Sequence, residues 1–315
     1  MEYNKGLVSI VIPTYKRAEM LSRAISSCLE QTYRNIEVLV VSDNEPDDEY
    51  TQKARETVDS FHDSRLQLIT QDQHINGAVA RNVGIRAAKG DYISFLDDDD
   101  YIDSEKIEKQ IAALYRLDDS WGGVCCRYKV YKKGRLVEVA PMFKSGYVYK
   151  EVLMRLIKTQ TNSLLLKRDS LIKAGLFDET LLRHQDVQLL TRFTYHYKLK
   201  CMDDFLNNLD QDDNMNRVNP DCLMTIKKAF FNSVQDIIAS MSPMERFRLK
   251  LLTQFDIGIL YIQNGQLLSG LVRCLSIVCS PVAMFQAINK VFEKKQMRKL
   301  ALKLRAEGLY PYRNY

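Results

Sequence analysis

Short apolar runs alternate with segments of helical periodicity through the first two hundred residues. Leu7 to Ile12 is a largely apolar run that reads as a buried strand. Ala18 to Gln31 follows, with Leu21, Ala24, Ile25, Cys28 and Leu29 at helical spacing. Ile36 to Val41 predicts a second strand, closed by the turn-forming stretch Ser42 to Asp48. Asp47 or Asp48 opens a helix to about Phe61, Leu66 to Ile69 predicts a third strand, and Gly77 to Lys89 a helix ended by Gly90. Tyr92 to Leu96 is a fourth apolar strand. Beyond residue 104 the pattern predicts a helix to about Leu117 and an antiparallel pair over 123–139 turning at Lys132 to Gly134. A strand over 161–166, a short helix over 170–174 stopped by Gly175, and a helix over 186–197 complete this part. From about Asn219 the pattern is helical almost throughout.

This alternation implies an α/β fold, Rossmann-like, with a mixed, mostly parallel sheet and right-handed crossovers, followed by a C-terminal helical extension. A boundary is placed near 215, giving an α/β domain over 1–215, with halves 1–104 and 105–215, and a helical region over 216–315. Composition changes little in that picture: 315 residues, 46% hydrophobic and 27% charged, are ordinary for a soluble globular chain. The opening Met1 to Gly6 lacks the apolar core of an export signal. The seven cysteines are scattered, without metal-type Cys/His spacing, so free thiols in a reducing cytoplasm are expected. Charge matters more. Residues 214–315 carry 15 Lys and Arg against 6 Asp and Glu, a balance of +9, whereas the first 213 carry 30 against 34, or −4. An acidic front and a basic tail point to different partners.

The candidate chemistry starts with Asp97-Asp98-Asp99-Asp100, four carboxylates at the mouth of the fourth strand. Like charges this close repel and call for a counter-ion, and a divalent cation takes hard oxygen ligands. The carboxyl end of a strand is where α/β sheets bind ligands. A solvated acidic loop is the alternative. Alternation sends Asp97 and Asp99 to one face and Asp98 to the other.

Several segments together resemble family-2 glycosyltransferases. They are Val8 to Tyr15, Ser26 to Tyr33, Val40 to Asn44, Asn76 to Gly84 and Gly90 to Tyr101, and the resemblance covers roughly residues 7–210. It implies the glycosyltransferase type-A fold, with a nucleotide-binding half joined to an acceptor half. It also implies inverting transfer of a sugar from a nucleotide-diphosphate-sugar. On that resemblance Pro13, Tyr15, Asp43, Asn76, Arg81, Asp97 and Asp98 are expected to contact the nucleotide-sugar, with Tyr15 stacking on the base and Asp43 accepting from its ring N–H. Arg81 is expected on either the acidic cluster or the pyrophosphate. Asp99, with Asp97, would hold Mn²⁺ or Mg²⁺, and Asp100 would support them. Gly175 to Glu179 followed by Arg183 to Leu190 places Asp186 as the base that takes the acceptor's proton. The chain departs from the family pattern at Gln185, where an acid is usual. A plain helix cap is the alternative for Asp186. His184 is a rival base or an acceptor contact.

Residues 258–288 are rich in apolar side chains, but Arg273 and Pro281 interrupt them, so a spanning helix is not expected. Lys290, Lys294, Lys295, Arg298, Lys299, Lys303 and Arg305 follow, interleaved with apolar residues. Peripheral membrane contact through 258–305, at the inner face of the plasma membrane, is one expectation; helices packed on the α/β domain are the other. No nucleic-acid partner is expected, since no recognised binding motif occurs. A haloacid-type phosphatase would place its acidic motif on the first strand, with Thr or Val where Tyr101 stands. A degenerate scaffold would have lost the acidic run or the base. The single tryptophan, Trp121, lies outside any Gln-x-x-Arg-Trp motif, which favours non-processive transfer. The setting implied is surface-polysaccharide assembly, with a glycan or lipid-linked acceptor.

Overall fold

The computed structural model describes residues 6–211 and 220–312. The elements in chain order are β1 (Val8–Thr14), α1 (Ala18–Leu29), β2 (Ile36–Ser42), α2 (Glu49–Asp59), β3 (Leu66–Thr70), α3 (Gly77–Ala87), β4 (Tyr92–Phe95), β5 (Tyr101–Ile102) and α4 (Lys106–Tyr115). Next come β6 (Trp121–Lys132), β7 (Arg135–Val139), α5 (Tyr149–Leu153), a 3-10 turn (Thr161–Ser163), β8 (Leu164–Lys167), α6 (Arg168–Ala174), α7 (Gln185–His196) and β9 (Lys198–Asp210). Asp48, not Asp47, caps α2, accepting from the Tyr50 N–H at 2.5 Å. The segment read as a strand from 161 begins with the 3-10 turn, and the 13-residue β9 has no counterpart among the sequence expectations.

These strands form one mixed sheet in the order β3-β2-β1-β4-β8-β6-β9-β5, with β7 on β6. The first four strands of that order are parallel, β8 runs antiparallel to both β4 and β6, and β9 is parallel to β6. Both faces are covered, which is why β1 and β2 read as continuous apolar runs. Val8, Ile10 and Ile12 pack with Leu21 and Ile25 of α1 on one face. Val11, Leu39 and Phe95 pack with Ile85 of α3 and Leu189 and Phe193 of α7 on the other. Gly84 lets α3 approach β1 closely, since a Cβ there would sit 2.4 Å from Val11 Cγ1. The chain builds β1, β2 and β3 outward, then returns to β4 on the far side of β1. The crevice between the ends of β1 and β4 is therefore the topological switch point.

The extension holds α8 (Pro220–Asn232), α9 (Gln235–Ser240), α10 (Pro243–Gln263), α11 (Leu267–Leu275), a 3-10 turn (Ser276–Cys279) and α12 (Pro281–Ala306). The expected boundary near 215 lies outside the described residues. The helices are docked. Phe230, Leu249 and Leu252 share a core with Leu153 and Met154 after α5, and Ala301 of α12 packs on Tyr131, Leu136 and Val139. Pro281 at the first turn of α12 starts a helix capped by Ser280, which accepts from the Ala283 N–H at 3.2 Å.

A capping box opens α10: Ser242 Oγ accepts from the Glu245 N–H at 3.3 Å, and Glu245 Oε2 accepts from the Ser242 N–H at 2.9 Å. Lys150 Nζ of α5 lies 2.6 Å from the free oxygen of Glu245, tying the extension to the α/β domain. These donors, Lys150 first, hold the Glu245 carboxyl down at about 2. A lowered carboxyl stabilises the fold above its ordinary value of 4.5, and that contribution is lost as pH falls toward 2. Glu245→Gln should therefore lower stability at pH 7 by about 0.5–1 kcal/mol. The difference from the unaltered protein should shrink as pH drops from about 4.5 to about 2, read by denaturant unfolding across that range.

Candidate active site at the ends of β1 and β4

The acidic run lies just past the last residue of β4 and turns, with the Asp100 N–H donating to the Asp97 carbonyl at 3.1 Å. Burial alternates along the run: Asp97 and Asp99 are half-buried, whereas Asp98 and Asp100 are buried. Each carboxylate has its own counter-group. Arg81 Nη2 on α3 lies 2.5 Å from Asp97 Oδ1. Arg17, before α1, reaches Asp98 at 3.2 Å and also holds Asp99. Thr14 Oγ1 donates to Asp98 at 2.8 Å. Asn162 and the Asp210 N–H, at 2.9 Å for the latter, donate to Asp100, and Arg23 of α1 donates to the Asp99 carbonyl.

Asp98 corrects one expectation. At 1% exposure, with its carboxylate spent on Thr14 and Arg17, it braces the loop and offers no face to a nucleotide. Burial pushes its carboxyl up to about 6, against the pull of Arg17. Burial likewise raises Asp99 and, well above the ordinary range, Asp100, with Asp97 adding to both. The three arginines thus leave the run short of positive charge. Among the described residues no three His, Cys, Asp or Glu side chains form a metal cage. The donor set instead fits a hard cation held by one or two carboxylates, Asp97 and Asp99, with the remaining oxygens supplied by a diphosphate and water.

Tyr15 directly follows β1, two residues after the half-buried Pro13, and its ring stacks on His74 with centroids 4.0 Å apart at 14°. Asp43, at the end of β2, is buried. Its Oδ1 accepts from Gln71 Nε2 at 2.9 Å and the Ile75 N–H at 3.1 Å, and its Oδ2 lies 3.1 Å from His74 Nδ1. Tyr15 and Asp43 are thus brought together, with His74 making both contacts assigned to a nucleobase from the sequence.

Asn76 caps α3, accepting from the Ala78 and Val79 N–H groups at 2.8 and 3.2 Å. Its amide donates to the Glu179 carbonyl at 3.0 Å and meets Gln185 Nε2 at 3.5 Å. Asn76 thereby ties the start of α3 to the segment that leads into α7. Asp186, next to Gln185, lies in the first turn of α7, where the positive end of the helix favours a carboxylate. It is half-buried and lines a cavity of about 1260 Å³ between the sheet and the C-terminal helices. The cap of α7 is His184, not Asp186; its backbone is left-handed, with φ of 65°. His184 Nδ1 lies 3.2 Å from Arg155 Nη1, and burial pushes the imidazole down to about 3, so it is neutral and unsuited as a base at neutral pH. Arg17, Arg23, His74 and Asn162 were not singled out from sequence, and Gln185 was noted only as a departure from the family pattern.

The model of glycosyl transferase family 2 matches residues 9–170. The amylovoran biosynthesis glycosyltransferase AmsB of Erwinia amylovora is 31% identical over 193 residues, covering 58% of this chain and 62% of that protein. An Escherichia coli protein named UDP-Glc:alpha-D-GlcNAc-diphosphoundecaprenol beta-1,3-glucosyltransferase WfgD is 40% identical over 115 residues, 36% of this chain and 44% of its own length. The chain therefore matches less than two thirds of either relative. Among solved structures, S. aureus TarS 1–349 superposes with a TM-score of 0.61 at 16% identity, covering 98% of this chain and 93% of that one. Mannosyltransferase PcManGT from Pyrobaculum calidifontis, in complex with GDP-Man and Mn²⁺, gives 0.57 at 16% identity, covering 98% and 88%. The fold is the glycosyltransferase type-A fold with a C-terminal helical extension. Since the family model spans β1 through α6, more than half of the sequence and every strand around the switch point, this chain belongs to glycosyl transferase family 2.

Proposed function

We propose that the protein is an inverting, non-processive glycosyltransferase that moves a sugar from a nucleotide-diphosphate-sugar to a hydroxyl of a lipid-linked glycan during surface-polysaccharide assembly. The observation that carries this reading is the α3 helix. Its Arg81 holds Asp97, and its cap Asn76 contacts Gln185 beside Asp186, so one rigid element spaces the acidic run from the candidate base. AmsB and WfgD, by their names, act in glycan assembly, which favours the same reading over a phosphatase or a scaffold. On this reading residues 1–104 bind the donor and 105–215 the acceptor.

In the donor half, Tyr15 stacks on the base and Asp43 accepts its ring N–H, once His74 has left both. Asp97 and Asp99 would hold Mn²⁺ or Mg²⁺, which when bound neutralises charge on the leaving nucleoside diphosphate. Arg81 keeps Asp97 oriented, and Asp98 and Asp100 fix the turn that presents Asp99. Pro13 shapes the end of β1 beneath the base. Asp186 takes the proton of the attacking hydroxyl on the face of the sugar opposite the diphosphate, which inverts the anomeric centre. His184, neutral, orients and does not take the proton.

The extension supports a peripheral membrane location on the cytoplasmic side. No helix among the described residues is long and apolar enough to cross a bilayer. Leu268, Val272 and Leu275 of α11 and Phe285, Ile288 and Phe292 of α12 are 57–78% exposed. Such surface, on a tail with a +9 charge balance, suits an anionic bilayer.

Asp186→Asn should lower kcat by about 10²–10⁴ while donor binding persists, and an active Asn variant would remove Asp186 from the role of base. Asp99→Ala, or chelation of the unaltered enzyme, should abolish turnover with UDP-, GDP- or dTDP-sugars in a donor screen. Transfer that is indifferent to chelation would exclude the metal. Replacing Leu268 and Phe285 by Asp should release the protein from anionic liposomes in a flotation assay; unchanged flotation would overturn the membrane contact.

A further inference from the structure

The cavity that holds Asp186 is lined by eight Lys and Arg side chains against three carboxylates, those of Glu138, Asp186 and Asp256. Some of this charge is answered: Lys290 reaches Asp256 at 2.7 Å, and Arg298 and Lys158 share Glu138 at 3.3 and 3.8 Å. Lys227 and Lys294 have no carboxylate within 4.0 Å among the described residues. His184 adds a buried donor. Its Nδ1 accepts from Arg155, which leaves the proton on Nε2, and that atom has no partner.

The helix that closes the cavity is turned against the usual pattern. A helix on a soluble domain buries its apolar stripe and sends its cations to water. On α12, Lys290, Lys294 and Arg298 recur every four residues on the face that carries the buried Ala287 and points into the cavity. Phe285, Ile288 and Phe292 form the outward stripe and are 57–65% exposed. Val291 and Leu302 line the cavity beside the cations, so its wall passes from charged to apolar toward the outer face of α12.

We infer that this cavity binds the diphosphate of a lipid-borne acceptor, with Arg155, Lys158, Lys227 and Lys294 on the anion and the apolar chain leaving along α12. The inference rests on the glycosyltransferase reading and deepens it, because the anion would fix the first sugar of the acceptor beside Asp186. It also separates two diphosphate positions: the donor's at Asp97 and Asp99, and the acceptor's on the far side of α7. The state of the cations agrees. Burial, then Arg155 and Lys290, pushes Lys227 down to about 8, and burial also lowers Lys158, with Lys294, Lys290 and Arg155 adding to the shift. Both shifts are led by burial, with neighbouring cations adding to them while Asp256 and Glu138 oppose them. Charge-assisted contacts from several such groups give a diphosphate the anchoring a neutral glycan lacks.

The test uses the full chain with calorimetry as readout: farnesyl diphosphate and inorganic pyrophosphate are the probes in EDTA, and UDP and UDP-sugar are read separately with Mn²⁺ present. Farnesyl diphosphate should bind at least tenfold more tightly than pyrophosphate. Lys227→Met and Lys294→Met should each weaken it about tenfold, while both variants keep the unaltered affinity for UDP. Asp43→Ala should lose UDP and keep farnesyl diphosphate. Equal affinities for the two probes would overturn the lipid source, and loss of farnesyl diphosphate in Asp43→Ala but not in the lysine variants would overturn the site. UDP-sugar binding without any diphosphate binding in EDTA sinks this inference alone. Diphosphate binding without any nucleotide-sugar binding sinks the glycosyltransferase reading and leaves the anion site standing.

Discussion

Four adjacent carboxylates set the terms for everything at the end of β4. Two unit charges about 5 Å apart at an effective permittivity near 20 repel by about 3 kcal/mol, and the run contains several such pairs. Exposed ion pairs contribute only about 0–1 kcal/mol each and would not offset that. The groups that answer it come from separate segments and, Arg17 apart, are at least half-buried: Thr14 on β1, Arg17 just before α1, Arg23 on α1, Arg81 on α3, Asn162 before β8 and the Asp210 N–H on β9. The run therefore holds its shape only when both halves of the domain are folded around it. Its raised carboxyls come first from burial, with the neighbouring aspartates adding to it.

The same constraint explains how far the chain reaches back. Tyr312, beyond α12, packs edge-on to the rings of Tyr101 and Tyr131 and joins the hydroxyl-carboxylate-guanidinium cluster of Asp210 and Arg23. Arg23 in turn holds the Asp99 carbonyl. The helical extension is thus coupled to the acidic turn through two contacts, although it shares no strand with the sheet.

What was legible in the sequence follows from range. β1, β2 and β4 announce themselves because both faces of each are buried; α3 starts at Gly77 as expected but stops at Ala87, two residues short of the expected Lys89, where Ala88 turns extended. β9 was not readable. Its 13 residues include Asp203, Asp204, Asn207, Asn208 and Asp210, which look like a loop. Asn208 is buried because its amide donates to the Tyr101 carbonyl at 3.3 Å and to Asp103 at 3.0 Å, partners a hundred residues away. Asp98 was misjudged for the same reason: parity fixes which side a carboxylate takes, and only tertiary contacts decide whether that side is solvent. The partnership of Arg17 with two aspartates eighty residues on has no local signature either.

The extension shows why charge counts alone mislead. A basic tail read from sequence suggests cations facing an anionic bilayer, with the apolar stripe as the docking surface between helix and domain. The structure reverses α12. In its first half the small Ala283 and Ala287 make the contacts with the body, while Lys290 and Lys294 line the cavity. Phe285, Ile288 and Phe292 are left outside, whereas Met297, Leu300 and Leu304 further on pack with Ala301 on Tyr131, Leu136 and Val139. Crowding cations beside one another costs free energy, and so does exposing Phe285 and Phe292. An anion with an apolar chain lying along the wall between them would relieve both. On that inference the pattern of α12, beyond the +9 balance, links the extension to the chemistry at Asp186.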